Sequence, residues 1–359
     1  MDELSSLIRN AGWFSTTDED TDVAISSRVR LSRNLADHAY SNLSRAPAEE
    51  LHDADAVTEL IGDTVRAELM PDVFDAESLE VQPLTLEPPV SQLLMERRLV
   101  DEPLPQRLFV TSDESAAIAI GAMDHLRIST LSHGLHIDAA LAAARAIDKK
   151  LEGSLNFAVS LDLGYLSTSI MNLGTALRAS VLVHLPALSR LGRIDEIQRS
   201  IRASDFDLTP DDQFTVDDGE SAAFRLSNRR TLGFEEESLT TKLEDHARAL
   251  VHYERVAREE LVETRGPELA DSAYRSLGIL RYARHLEADE TLTLLSSLRL
   301  GIIAELVGDV AVEIVTSLFF MSRDSHVRAV LHHAGGVDGD GEENIQAARA
   351  RLIREALAV

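Results

Sequence analysis

The chain has 359 residues and a formal net charge of -26, with 61 acidic and 35 basic side chains. This excess of negative charge argues against binding to a nucleic-acid backbone, which needs a basic face. Cysteine is absent, which excludes disulfides, thiolate metal sites and thiol nucleophiles. No window approaches the roughly 18 apolar residues of a membrane span, and the first residues lack a signal-peptide pattern. We therefore expect a globular cytoplasmic protein that is not bound to a membrane.

The first predicted element is a strand over residues 22–33, DVAISSRVRLSR. Its alternation places polar side chains, two arginines among them, on one face of a sheet and apolar side chains on the other. The polar face is predicted to carry Ser26, Arg28, Arg30 and Ser32. The buried face is predicted to carry Val23, Ile25, Val29 and Leu31.

Helices and further strands follow along the chain. Apolar residues at three-to-four spacing predict helices over 47–70 and 136–152. Alternating segments predict strands over 116–129, 155–163, 177–185 and 222–228. Because these strands keep a polar face, they favour an antiparallel sheet with helices on one face and the other face open. The predicted fold class is therefore α+β.

The C-terminal part of the sequence has a different pattern. From about residue 238 onward the spacing is helical throughout, so we place a domain boundary near residue 255. The predicted division is an α+β domain over 1–255 and a helical domain over 256–359. An acidic, glycine-rich segment at 335–344 lacks the pattern of a calcium-binding loop, and no metal site is predicted.

Arginines recur on the polar faces of two other predicted strands. Arg127 in MDHLRIS and Arg178 in LRASVLVH alternate with buried side chains as Arg28 and Arg30 do. Like charges on one sheet face repel, and an anion with several oxygens, best a polyphosphate, would compensate them. The planar guanidinium suits such an anion better than lysine does. Alternatively each arginine pairs with one of the many acidic residues, and alternation alone does not decide between the two.

Several longer motifs follow one another in a fixed order. They are GWFSTTDEDTDVAISSRVRLSRNL, DHLRIS, NLGTALRASVLVHLPAL, FRLSNRRTLG, ERVAREEL, AYRSLGIL and LRLGI. In this order they resemble the phosphagen (guanidino) kinases, and most closely the bacterial protein arginine kinases. The resemblance spans nearly the whole chain.

The resemblance implies a fold, a donor and an acceptor. It implies a catalytic domain related to glutamine synthetase over residues 1–255 and a helical dimerisation domain over 256–359. It also implies ATP as phosphoryl donor, Mg²⁺ held through the phosphates, and a protein arginine side chain as acceptor. Because the arginine signature begins at Ser26, no room remains for the helical domain that precedes it in kinases of small phosphagens. This favours the protein-arginine branch.

The resemblance also assigns nucleotide-binding positions. They are Ser26, Ser27, Arg28, Val29, Arg30, Arg98, Arg127, Arg178, Ala179, Ser180, Val181 and Leu182. Arg98 stands where the family has a histidine expected to touch the nucleotide. Strand alternation had already turned Arg28, Arg30, Arg127 and Arg178 of this set to one face.

The sequence departs from the family where the acceptor should bind. A guanidinium acceptor must be aligned and deprotonated, which the family does with two glutamates. Met123 stands at the first glutamate position and Thr215 at the second. Asp217, Asp218 and Glu220 lie close to Thr215 in the sequence and would serve as substitutes if that loop shifts.

Two further positions differ from the family. Ser169 replaces a cysteine that would lie near the guanidinium. Ile345 and Gln346 fall at or near an Arg-Asp pair that binds phosphoarginine in the arginine kinases. With phosphate-side arginines kept and acceptor-side groups lost, we expect an impaired kinase.

Three functions remain open at this stage. The first is a family member that binds ATP or phosphate but is catalytically impaired and acts through partners. The second is an active ATP:protein-arginine phosphotransferase with relocated carboxylates, and the third is a structural subunit that has also lost nucleotide binding. The expected partners are a second copy or an active relative in a dimer, together with protein substrates or components of an adaptor or protease system.

Overall fold

The computed structural model describes residues 18–38, 48–70, 72–86, 88–101, 104–167, 169–215, 223–333 and 342–358. Its strands are β1 (Ala24–Arg33), β2 (Leu79–Val81), β3 (Arg107–Val110), β4 (Ala116–Ile120), β5 (Leu126–His133), β6 (Val159–Ser160), β7 (Gly164–Tyr165), β8 (Leu177–His184), β9 (Phe206–Pro210) and β10 (Ala223–Asn228). An eight-stranded sheet has the order β2-β3-β4-β5-β1-β8-β10-β9, and its neighbouring strands are antiparallel. The predicted antiparallel sheet is confirmed.

Helices flank this sheet and fill the C-terminal region. They are α1 (Ala48–Leu69), α2 (Pro88–Glu96), α3 (Ile137–Glu152), α4 (Pro186–Arg190), α5 (Ile194–Arg202), α6 (Glu236–Tyr282), α7 (Ala288–Ile303), α8 (Val312–Met321), α9 (Asp324–His333) and α10 (Glu342–Ala356). The helices predicted over 47–70 and 136–152 correspond to α1 and α3. None of the helices in the described ranges is long and apolar enough to cross a membrane.

The main core lies between one face of the sheet and helices α1, α3 and α6. It contains Val29, Leu31, Ile128 and Val181 from the sheet and Ile61, Ile147 and Leu243 from the helices. Full burial of such a side chain contributes about 1.5–3 kcal/mol, so this face fixes which side chains turn the other way. Arg28, Arg30, Arg127 and Arg178 occupy the alternate positions and therefore share the opposite face.

A second core cluster borders the arginines. Leu131 and Leu182 belong to it from the sheet, and Leu94 and Leu99 belong to it from α2 and the segment that follows. The C-terminal helices also contribute side chains, including Phe319. The polar face is therefore flanked by apolar packing rather than fully open, and the Arg28 and Arg30 side chains are only 13% and 18% exposed.

The strand predicted over 155–163 is wrong. Leu155 and Phe157 are buried, but Leu161 is fully exposed. After Phe157 the chain turns away from the main sheet and pairs β6 with β7. Gly164 makes this turn with φ +71°, and a Cβ there would lie 2.6 Å from the carbonyl oxygen of Gly174. Local alternation cannot reveal such a close contact with a distant segment.

Two other sequence expectations need correction. The predicted strand over 116–129 is a hairpin, because Gly121 adopts φ +71° between β4 and β5. Ile25 does not join the helix-covered core, because the β1–β8 register shifts between Ala24 and Ser26 and places Ile25 in the second cluster. A bulge of this kind changes which face a side chain occupies.

The predicted domain boundary falls within the longest helix. Residue 255 lies inside α6, which kinks at Arg265, where φ is -138° and ψ is 23°. Pro267 explains the kink, because its ring lacks an N–H donor and clashes with the preceding turn. Beyond the kink the regular secondary structure of the described residues is helical throughout. The division into domains at this helix stays a prediction.

Candidate functional site

The strands that carry the predicted phosphate-binding arginines are neighbours in the sheet. β1 lies between β5 and β8. Arg30 is directly opposite Arg178, and Ser32 is directly opposite Arg127. This register brings guanidinium groups from three strands to one face. That face, bearing Arg28, Arg30, Arg127 and Arg178, is called the arginine face below.

The other predicted nucleotide-binding positions divide between the two sides of the sheet. Those on the arginine face are Ser26, Ser180 and Leu182, which follow the register of Arg28 and Arg30. Those on the helix-covered side are Ser27, Val29, Ala179 and Val181. The Ser27 hydroxyl donates to the carbonyl oxygen of Gly134 at 2.9 Å. These four side chains therefore have structural contacts instead of facing the arginines.

Arg33, the third arginine of SSRVRLSRN, has a structural role. Its guanidinium is buried, donates to both carboxylate oxygens of Asp148, and lies 3.5 Å from the centre of the Tyr165 ring. A charged pair buried in this way fixes β1 against α3. The clustering of three arginines in one short segment thus combines two side chains on the arginine face with one structural side chain.

Asp101 occupies the centre of the arginine face. Its two carboxylate oxygens accept hydrogen bonds from Arg28 at 2.9 and 3.1 Å, and the Arg30 guanidinium bonds to the same carboxylate. Burial alone would raise the pKa of Asp101, but the two guanidinium charges outweigh it and hold the pKa far below its usual value. Asp101 is therefore an anion that neutralises one of the two arginines it contacts.

Arg178 has no such partner. It forms no ion pair with any carboxylate of the described residues, and its Nη1 donates to the carbonyl oxygen of Arg229 at 3.2 Å. Burial and the charge of Arg30 opposite both lower the pKa of Arg178. Asp207 offsets this through its charge, but its carboxylate pairs with Arg202 and Arg229. An anion at this position would relieve the repulsion between Arg30 and Arg178.

The Arg127 guanidinium marks the other end of the arginine face. Its Nε and Nη2 lie 3.4 Å from the carboxylate of Asp124, which is a long separation for a charged pair. Asp124 is buried and also accepts hydrogen bonds from Asn34, Ser167 and Asn172. Burial would raise the pKa of Asp124, but Ser167, Arg127 and Asn34 together lower it.

Arg98 is committed to a buried ion pair. It bonds to Asp211, which also accepts hydrogen bonds from Arg225 at 2.8 and 3.2 Å. Burial lowers the pKa of Arg98 to about 10, so it stays charged at neutral pH. The pKa of Asp211 is lowered because Arg98 and Arg225 outweigh the effect of its burial. Strand pairing places Arg225 on the same face as Arg178 and Ser180.

The arginine face has a surplus of positive charge in the described part of the chain. Six guanidinium groups lie there, those of Arg28, Arg30, Arg98, Arg127, Arg178 and Arg225. Three carboxylates contact them, those of Asp101, Asp124 and Asp211. This set therefore carries a net charge of +3, and of its six guanidinium groups that of Arg178 forms no ion pair with a described carboxylate. Such a set of donors fits a polyphosphate and supplies enough charge for one.

The two positions predicted to align and deprotonate the acceptor carry no carboxylate. Met123 lies half-buried in the turn between β4 and β5, and its thioether cannot take a proton from a guanidinium. The Thr215 hydroxyl donates to the carbonyl oxygen of Asp211 at 3.0 Å. Asp217, Asp218 and Glu220 lie outside the described residues. The carboxylates that do contact the arginine face all have lowered pKa values, which makes them weak bases.

The other positions that differ from the family pattern make structural contacts. The Ser169 hydroxyl accepts a hydrogen bond from the Met171 amide at 3.3 Å. Ile345 is fully buried in α10, and the Gln346 carbonyl oxygen accepts from the Leu286 amide at 3.3 Å. Neither side chain supplies the charges of an Arg-Asp pair.

Sequence reasoning missed Asp101, Asp211 and Arg225. Asp101 and Asp211 lie in irregular segments, where no periodicity indicates which face a side chain occupies. Arg225 could have been found, because it alternates with Phe224 and Leu226 in a predicted strand.

Comparison with known proteins agrees with this geometry. The family described as "ATP:guanido phosphotransferase, C-terminal catalytic domain" matches residues 76–257. The family described as "Protein-arginine kinase McsB C-terminal domain" matches residues 266–359. The antiparallel sheet and these two matches place the protein in the class of guanidino phosphotransferases.

Similar proteins show to which family of guanidino phosphotransferases the chain belongs. The chain is 33% identical to the protein-arginine kinase of Geobacillus stearothermophilus over 354 residues, which cover 97% of this chain and 93% of that protein. It is 32% identical to the protein-arginine kinase of Bacillus cytotoxicus over 354 residues, covering 97% and 95%. The chain therefore belongs to the protein-arginine kinase family.

Solved structures show the same fold. The duplicated taurocyamine kinase of Schistosoma mansoni, solved with bound transition-state-analogue components, matches with a TM-score of 0.56 and 19% identity, covering 76% of this chain. The match spans only 41% of that duplicated protein. Lombricine kinase matches with a TM-score of 0.53 and 19% identity, covering 68% of this chain and 70% of that one.

Proposed function

We propose that this chain binds Mg-ATP through the triphosphate on its arginine face and that phosphoryl transfer from this nucleotide is strongly impaired. The observation that carries the proposal is the surplus of guanidinium groups on three adjacent strands. Kinases of this type depend on positioning and on charges that neutralise the transferring group. Arg28, Arg30, Arg127 and Arg178 supply such charges, and Mg²⁺ would be held through the phosphates.

The impairment follows from the acceptor side. A guanidinium has a pKa above about 12, so its attack on a phosphorus atom needs a base and aligning carboxylates. Met123 and Thr215 occupy the two positions that family resemblance assigns to glutamates. Loss of general-base assistance alone costs about 10²- to 10⁴-fold in rate.

An active enzyme is the second candidate function. The Thr215 hydroxyl donates to the carbonyl oxygen of Asp211, whose carboxylate pairs with Arg98 and Arg225. Asp217, Asp218 and Glu220 follow Thr215 closely in the sequence and lie outside the described residues. If one of them reaches the acceptor, the chain is an ATP:protein-arginine phosphotransferase.

A phosphorylation assay separates these two functions. With radiolabelled ATP, Mg²⁺ and an arginine-rich protein at neutral pH, we expect acid-labile label at least about 100-fold below that of the Geobacillus stearothermophilus relative measured in parallel. Met123→Glu alone should restore little, because the second carboxylate is still missing. Label comparable to that of the relative, lost in Asp217→Asn, Asp218→Asn or Glu220→Gln, would establish the active alternative. Thermal-shift titration of the same samples with Mg-ATP tests nucleotide binding separately.

We further propose that an impaired kinase of this kind acts through protein partners. The candidates are a second copy, an active relative in a mixed dimer, and components of an adaptor or protease system. The resemblance to the family implies dimerisation through the helical region, which the family model matches over residues 266–359. Size-exclusion chromatography with light scattering, alone and after mixing with an active relative, tests the dimer: a monomer under both conditions would contradict association with a second copy and with an active relative.

A further inference from the structure

Three side chains that could bind a metal ion converge beside the start of β1, outside the arginine face. They are Asp18 in the turn before β1, His133 at the end of β5, and His136 immediately before α3. β1 and β5 are antiparallel, and Ser26 is opposite His133. The turn that precedes β1 therefore lies next to the loop that follows β5.

The donor atoms have the spacing of a coordination site. One oxygen or nitrogen from each of the three residues lies within 4.8 Å of the others. The Asp18 Oδ2 atom is 3.4 Å from His133 Nε2 and is in contact with His136 Nε2. Ligands of a tetrahedral Zn²⁺ with bonds near 2.0–2.1 Å are separated by about 3.4 Å.

The backbone around the trio holds this arrangement in place. Gly134 has φ +59°, which favours glycine, and a Cβ at this residue would lie 2.8 Å from Asp18 Oδ1, so the carboxylate approaches the backbone closely here. The His136 amide donates to the Ser27 hydroxyl at 3.1 Å, and that hydroxyl donates to the Gly134 carbonyl oxygen at 2.9 Å. The ligands are thus positioned by interactions that need no metal.

Two other acidic residues of the same turn are already engaged. Asp20 and Asp22 pair with Arg255, and Asp22 also pairs with Arg258. The His133 and His136 side chains are 36% and 44% exposed, and that of Asp18 is 29% exposed. Three protein ligands with one side open to water are the donor set of an open zinc site.

We propose that Asp18, His133 and His136 bind one Zn²⁺ ion, with water as the fourth ligand. The ion fastens the turn before β1 to the loop between β5 and α3. It is separate from the Mg²⁺ that accompanies ATP, because two imidazole ligands favour zinc over magnesium. Its binding stabilises the folded protein, since the three ligands are brought together only in the fold.

Titration of the untagged, full-length, chelator-treated protein with ZnCl₂ by calorimetry, without nucleotide, tests the proposal. We expect one ion per chain and a raised midpoint of thermal unfolding. His133→Ala and His136→Ala should each weaken binding by at least about 100-fold, more than the loss of an outer-shell partner costs. His252→Ala, which changes an exposed histidine of α6, should bind Zn²⁺ as the unmodified chain does.

Spectroscopy distinguishes loss of the metal site from misfolding of a variant. Co²⁺ should bind at the same stoichiometry with the intense visible absorption of a four-coordinate ion, and circular dichroism should show that His136→Ala remains folded. Absence of Zn²⁺ binding, or binding unchanged in the double variant of His133 and His136, would overturn the proposal. Either result would leave Asp18 as a hydrogen-bond partner of the two histidines only.

Discussion

Arg178→Ala is expected to remove most of the stabilisation that Mg-ATP gives to this protein. At 100 times the dissociation constant, a ligand of the folded state stabilises by about 2.7 kcal/mol. Loss of one hydrogen bond between a guanidinium and phosphate costs about 1.5–3 kcal/mol, which is roughly 10- to 150-fold in affinity. Arg178 should lie at the upper end, because it has no carboxylate partner in the described residues.

The unliganded Arg178→Ala variant should unfold at nearly the same temperature as the unmodified chain. The substitution removes a positive charge that faces Arg30. It breaks no ion pair with a described carboxylate, because Arg178 forms none. Arg230→Ala is the matched control, because Arg230 is 65% exposed and pairs with Asp205. Thermal-shift titrations of the three proteins provide the measurement. An unchanged Mg-ATP response in Arg178→Ala would remove this residue from the phosphate site.

Asp101→Asn is expected to act in the opposite direction on nucleotide affinity. The Asp101 carboxylate bonds to both Arg28 and Arg30, so a phosphate that approaches these arginines meets a competing anion. Neutralising it should tighten Mg-ATP binding by about tenfold, since one charge-assisted contact is worth about 1.5 kcal/mol or more. The unliganded variant should be less stable, because two partly buried guanidinium groups lose their partner.

Calorimetric titration with Mg-ATP measures the predicted change, and chemical denaturation measures the stability of the unliganded variant. Asp205→Asn is the control, since its carboxylate pairs with the exposed Arg230 away from the arginine face. Weaker nucleotide binding in Asp101→Asn would show that Asp101 positions Arg28 and Arg30 for the phosphates instead of competing with them. The two outcomes have opposite signs, so a single titration separates them.

The strands of the arginine face could be predicted because their alternation is strong and local. Val29 and Leu31 alternate with Arg28 and Arg30, and the same period recurs around Arg127 and Arg178. Alternation does not show that β1 lies between β5 and β8, which is what brings these arginines together. The partners of the arginines could not be predicted in this way. Asp101 and Asp211 come from irregular segments whose position depends on packing far away in the sequence.

Two failures show where local patterns stop being informative. The segment 155–163 has the alternation of a buried strand, yet its second half is exposed because the chain turns at Gly164 against Gly174. Ile25 changes face at a bulge, where β1 has one residue more than the β8 segment it pairs with. The sequence pattern does not reveal this extra residue. In both places the deciding contact is made with a distant part of the chain.

The same limit applies to the acceptor side. Family resemblance identifies Met123 and Thr215 as the positions where glutamates are missing. Among the described residues, the carboxylates that contact the arginine face all have lowered pKa values. What the chain retains is a surface suited to a polyphosphate. In the proposed function the loss concerns the second substrate, so it is expected to affect turnover more than nucleotide binding.

Competition between inorganic triphosphate and Mg-ATP tests the central claim most directly, because it asks whether the arginine face recognises phosphates. Calorimetric titration should show one saturable Mg-ATP site per chain, and triphosphate should displace the nucleotide from it. Triphosphate should also bind less well to Arg178→Ala. A chain that shows no saturable binding of either anion, or that binds ATP without competition from triphosphate, would contradict the account.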